Sequence, residues 1–144
     1  MKSKSINDDL ERTFILVLDQ GEEAFKMIAK FADEERISGA SVSAIGAFAR
    51  AHLGWFDLAE KKYRPIDVNE QCEVLSLMGD IAQGDDGKSS LHLHAVLGLQ
   101  DGTLRGGHFL SGLVQPTLEV TIRETVVNLR RKKRPDLGIA LISI

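Results

Sequence analysis

The feature that most constrains this chain is a pair of apolar runs, Leu91 to Leu99 and Leu104 to Val114, separated by Gln100-Asp101-Gly102-Thr103. Two such runs around an Asp-Gly turn specify a β-hairpin, and the loop length sets its register. A three-residue loop with Gly102 in the left-handed position pairs Leu99 with Thr103, and counting back along both strands brings His94 opposite His108. A two-residue Asp-Gly turn instead sets His108 opposite Ala95 and turns its ring to the other face.

The rest of the chain reads as one helix among strands. Thr13 to Leu18 is an apolar run suited to a buried strand. From Glu22 to Arg36, Phe25, Ile28, Ala29 and Ala32 recur at helical spacing, with Glu22 and Glu23 placed where carboxylates favour the helix dipole and Ser38-Gly39 as a stop. Strands are expected at Ala40 to Ala49, at His52 to Phe56 with Gly46 marking a bulge or close approach before it, and at Cys72 to Met78. Leu58 to Lys62 reads as a polar link and residues 82–90 as a flexible loop. Beyond the hairpin, Pro116 interrupts, Thr117 to Asn128 continues as a strand, and Leu137 to Ile144 docks as the last one. The expected class is α+β, largely antiparallel, with residues 1–11 a flexible segment and 12–144 one domain.

Composition narrows the function classes. A chain of 144 residues with a single cysteine, Cys72, has no internal disulfide, which suits a reducing compartment and a cytoplasmic location. The N-terminus lacks a signal-peptide pattern, and no apolar run approaches the roughly 20 residues needed to span a bilayer. A net charge of −3 lacks the overall basic character of a dedicated nucleic-acid binder.

The chemistry concentrates in Leu91-His92-Leu93-His94-Ala95 and Gly106-Gly107-His108. Alternation along a strand projects His92 and His94 from one face, roughly 6–7 Å apart. The three-residue turn adds His108 to that face, with Gly106 and Gly112 expected to leave open volume beside it. Three neutral imidazoles and a vacant side match a zinc site whose fourth position holds water or substrate, although ligand type alone also admits nickel, copper or iron. Ordinary half-buried histidines are the alternative. His52 stands apart, as a surface or core residue.

Among the carboxylates, Asp57, Glu73 and Glu119 could serve as a general base, Glu119 first because it follows the His108 strand; surface or capping roles suit each as well. Ser76 and Ser111 lack a nucleophile context, and Gly106-Gly107 opens no helix that could bind phosphate. Cys72 suits a core strand. Arg130-Arg131-Lys132-Lys133-Arg134 is the one cationic run. It reads as a solvated loop before the last strand, or as a phosphate contact.

Ile45-Gly46-Ala47-Phe48, Ala51-His52-Leu53-Gly54-Trp55-Phe56-Asp57, Glu73-Val74-Leu75-Ser76-Leu77-Met78-Gly79, His92-Leu93-His94-Ala95, Asp101-Gly102, Gly106-Gly107-His108 and Pro116-Thr117-Leu118-Glu119-Val120 together resemble the PPC domain, a family conserved in plants and prokaryotes. The resemblance spans about residues 12–143. It implies an α+β domain that assembles as a homotrimer and a DNA-binding label that comes mainly from plant members carrying AT-hooks. This chain has no Arg-Gly-Arg-Pro-type hook and has histidines where the plant proteins carry mainly Ser, so it is similar to stand-alone prokaryotic members that hold a metal on three histidines. Two functions follow: a DNA-binding or regulatory protein with a three-histidine metal site, or a metal-dependent enzyme or small-molecule binder using the same site.

Overall fold

The Glu23 carboxylate begins the helix by accepting from the amides of Phe25 at 3.1 Å and Lys26 at 2.9 Å, two donors that a helix start leaves without partners. Helix α1 (Ala24–Glu34) is therefore shorter than its apolar periodicity predicts, and the chain leaves it through Arg36 at φ 55°. The computed structural model describes residues 1–7 and 11–143. Around α1 lie β1 (Lys2–Asn7), β2 (Thr13–Asp19), β3 (Gly39–Asp57), β4 (Lys62–Val68), β5 (Cys72–Gln83), β6 (Ser89–Gly98), β7 (Leu104–Glu124), β8 (Arg130–Arg134) and β9 (Ile139–Ser143).

The main sheet runs β1-β2-β7-β3-β5-β8-β9. Because β6 pairs with both β5 and β7, and β3 also pairs with both, these four strands close a ring of antiparallel pairs, to which β4 adds at the edge of β3. Two long strands, β3 of 19 residues and β7 of 21, serve ring and sheet together by bending at irregularities. Gly46 sits at one of them, at φ 151°, where a Cβ would come 2.3 Å from the Thr117 carbonyl oxygen. That close approach is what a glycine between two apolar stretches signals.

Leucines and phenylalanines fill the interior. Phe48 and Phe109 stack at 5.5 Å, Phe31 of α1 meets Phe14 edge-on at 5.2 Å, and Ala24, Ile28 and Ala32 complete the buried helical stripe. Each fully buried Leu, Ile or Phe of this kind contributes about 1.5–3 kcal/mol of transfer free energy.

Several expectations change. Lys2–Asn7, within the segment expected to be flexible, pairs with β2, while residues 8–10 of that segment and Ile144 of the last strand lie outside the described residues. The stretch before Cys72 contains β4, which was hidden because most of its residues face solvent. The loop at 82–90 shrinks, since β5 runs to Gln83 and β6 starts at Ser89. Pro116 does not end its strand: β7 continues through a cis Gln115–Pro116 bond, and the register against β3 slips between Val114 and Leu118. The cationic run is strand β8, not a loop; its backbone pairs with β9 from Arg130–Ser143 to Arg134–Ile139.

Candidate metal centre

The turn at Gln100-Asp101-Gly102 takes the three-residue form. Gly102 lies at φ 80°, its amide donates to the Leu99 carbonyl at 2.9 Å, and the Leu99 amide donates to Thr103 at 2.9 Å. The Asp101 carboxylate fixes the return by accepting from both the amide and the hydroxyl of Thr103. In the register that follows, His94 pairs with His108, Ala95 with Gly107 and Val96 with Gly106.

Leu93, Ala95, Leu97 and Phe109 point into the core, so His92, His94 and His108 share the outward face of the ring. Their ring centroids form a near-equilateral triangle, with His92–His94 at 5.0 Å, His92–His108 at 5.2 Å and His94–His108 at 5.3 Å. One ring nitrogen from each lies within 4.8 Å of the other two. The Nε2 atoms of His92 and His94 are 3.1 Å apart, close to the roughly 3–3.4 Å between two nitrogens that share a metal at about 2.0–2.1 Å. Nδ1 of His108 is buried and has no hydrogen-bond partner among the described residues, an acceptor or donor left over for something else. By these observations the donor set fits a divalent ion.

Two neighbours shape the cluster. Tyr63, on β4, stacks on His108 at 4.6 Å and 28° and is itself held edge-on by Phe56. It walls the site on one side, and its own burial raises the phenol above its usual range. On the other side Arg131 of β8, its side chain 4% exposed, pairs with Asp80 of β5 and donates to the Ser90 carbonyl at 2.9 Å. Sequence reasoning missed both Tyr63 and Asp80. The only sequence signal for Asp80 is a lone acid within the apolar run that closes β5.

Burial, then the neighbouring His92 and His94, then Arg131, push His108 down to about 4. Burial also lowers His92, followed by Arg131 and His94, with Asp80 opposing. His108 therefore stays neutral well below the ordinary histidine value of 6.5, His92 is shifted in the same direction, and protons compete for these rings at lower pH than for unperturbed ones.

Gly106 leaves space beside Val96, as expected. Gly112 does not share the histidine face. The register against β3 slips between Ser111 and Phe109, which reverses the alternation, and a Cβ on Gly112 would meet the Phe48 ring at 2.7 Å in the core. Glu119 lies on β7 opposite Ile45, outside the convergent group of His92, His94 and His108. His52, an exposed residue of β3 between β4 and β7, bonds to Asp67 of β4 at 2.8 Å. Asp57 caps its own turn, accepting from the amides of Ala59 and Glu60 and pairing with Arg64. Glu73 is exposed and Cys72 is buried. In the cationic run Arg131 is buried and Arg134 pairs with Asp136, while Arg130, Lys132 and Lys133 present exposed side chains.

Among the described residues, no helix is long and apolar enough to cross a membrane. No curated protein matches the chain. A metal-containing protein from Archaeoglobus fulgidus is similar at 33% identity, with 92% of this chain and 93% of that one covered and a TM-score of 0.84. A plant- and prokaryote-conserved protein from Pyrococcus horikoshii is similar at 27% identity, covering 99% and 95%, with a TM-score of 0.86. A candidate DNA-binding protein from Bacteroides thetaiotaomicron is similar at 25% identity, covering 98% and 96%, with a TM-score of 0.87. Residues 6–126 match the Plants and Prokaryotes Conserved (PCC) domain, and the chain belongs to that family.

Proposed function

We propose that this PCC-domain chain is a metal-binding protein that holds one divalent ion, zinc by ligand type, on His92, His94 and His108. The observation that carries this reading is the convergence of three ring nitrogens within 4.8 Å from two paired strands, with His108 Nδ1 left without a partner. The similar Archaeoglobus protein, described as metal-containing, supports it. An ion held by three neutral imidazoles supplies Lewis-acid chemistry at any remaining coordination position, which suits either an enzyme or a small-molecule binder. Of the chain's own residues, Tyr63 orients His108 and excludes water from one side, while the Leu93 and Phe109 side of the strands fixes the ring directions from beneath.

Zinc titration by calorimetry tests the proposal. The expected result is one ion per chain for the wild type and none for His94→Ala, with unchanged circular dichroism; undiminished stoichiometry in the variant would remove the three-histidine assignment.

A second reading, DNA-linked regulation, is favoured by the exposed Arg130, Lys132 and Lys133 on β8 and by the description of the similar Bacteroides protein. A homotrimer, implied by the family resemblance, would repeat that ladder three times and cover exposed Ile45, Leu75 and Met78 on the sheet. Duplex binding that weakens steeply with salt, together with a trimeric mass in light scattering, is the outcome this reading requires.

A further inference from the structure

A carboxylate stands beside the three rings and takes no part in their triangle. Asp80 pairs directly with His92 across β5 and β6, as Met78 pairs with His94, so Asp80 lies on the histidine face. Directly opposed residues on one face hold their Cβ atoms about 4.5–5.5 Å apart, which brings an aspartate oxygen within reach of an ion seated on His92. Even so, the convergent ligand group among the described residues consists of His92, His94 and His108, without Asp80.

The reason is a competing partner. Oδ1 of Asp80 accepts from Nη2 of Arg131, and Arg131 is fixed by its burial and by Nη1 donating to the Ser90 carbonyl at 2.9 Å. Arg131 belongs to β8, in the β8–β9 hairpin, which begins after the family match ends at residue 126. An element outside the matched domain thus decides where this carboxylate points.

We propose that Arg131 is a specificity-determining residue of the metal centre: by holding Asp80 it keeps a fourth protein ligand off the ion and leaves a coordination position open to small anionic ligands. This inference rests on the metal reading above. Three neutral histidines with Asp80 would make a closed, tetrahedral set of the structural type, whereas three histidines alone make an open one. The paired Asp80 and Arg131 also cancel each other's charge, so the ion keeps its full double charge toward an incoming anion such as a carboxylate.

Cobalt(II), which reports its ligands through visible absorption, is the probe, with azide as the test anion. The wild type should bind one cobalt ion, and azide should shift its visible bands. In Arg131→Met the released carboxylate should turn to the ion, so cobalt binds at least tenfold tighter and azide no longer shifts the spectrum. The double variant Arg131→Met with Asp80→Asn should return to wild-type affinity and wild-type azide response. Unchanged affinity and an unchanged azide response in a folded Arg131→Met protein would overturn the proposal while leaving the metal reading intact; a wild type that binds no cobalt removes both. Should Arg131→Met not fold, Asp80→Asn decides the matter. Cobalt affinity within twofold of wild type and a retained azide shift support an Asp80 held off the ion, whereas a tenfold loss of affinity shows that Asp80 already ligates and ends the idea.

Discussion

Replacing Asp80 by Ala strands a buried cation. The Arg131 side chain is 4% exposed and Asp80 is its only carboxylate partner among the described residues. The bond from Nη1 to Ser90 survives the change, but Nε, which already lies buried without a partner, does not gain one. Removing one member of a buried pair costs about 3–5 kcal/mol, because the remaining charge is left unsolvated. Asp80 is 29% exposed, so water can enter the space it vacates and hydrate Nη2 in part. That places the expected loss at the lower end, about 3 kcal/mol. For a domain of this size the same loss lowers Tm by roughly 6–12 °C. Urea unfolding followed by far-ultraviolet circular dichroism, with a chelator present to remove any metal contribution, measures it. Arg131→Met should cost less, about 1–2 kcal/mol, since the aspartate it releases can turn to water. Adding Arg131→Met to Asp80→Ala should recover part of the loss. An Asp80→Ala midpoint within about 1 kcal/mol of wild type, at unchanged slope, would show that the guanidinium is hydrated in the folded chain and that β8 is not anchored by this pair.

Glu23 accepts from the amides of Phe25, Lys26 and Gly112, so Glu23→Ala should destabilise by about 2 kcal/mol in the same assay, and a loss below about 0.5 kcal/mol would show that the cap is dispensable. In chelator-treated protein the folded chain holds His108 at about 4, below the 6.5 of an unperturbed ring, so between these values the unfolded chain binds more protons; stability is full above about pH 6.5 and falls as the pH drops toward 4. His108→Gln should flatten that slope, and a wild-type stability unchanged from pH 7 to 5 contradicts the burial of the ring. For DNA, replacing Arg130, Lys132 and Lys133 by Ser should weaken duplex binding and reduce its salt dependence without unfolding the chain. Arg131 is left in place because its buried side chain is engaged with Asp80 and Ser90 rather than presented to solvent; unchanged binding would retire the cationic ladder as a phosphate contact.

The hairpin and its histidines were legible because the decisive chemistry is local. Gly102 and Asp101 set the turn within four residues, and strand parity carries that decision to His94 and His108. The helix was legible for the same reason, its apolar stripe repeating over consecutive turns, although only the Glu23 side chain reveals where it starts. What escaped depends on distant partners. The cationic run forms a strand because its backbone pairs with β9 and its one inward side chain meets an aspartate 51 residues away, and neither alternation nor composition signals that. The placement of Gly112 failed at a single irregularity near Leu110, where one extra residue reverses every later side chain. β4 carries mostly exposed residues and so lacks an apolar period, yet it supplies Tyr63, the ring that covers His108.

The most direct test is the metal content of the native protein, expressed without added metal, purified without chelator and measured by elemental mass spectrometry beside a His92→Ala, His94→Ala, His108→Ala triple variant. The account predicts close to one divalent ion per wild-type chain, with zinc the leading element, and background levels in the triple variant. Equal metal in the two proteins, or a wild type that carries none and takes up none on incubation with zinc, would contradict it.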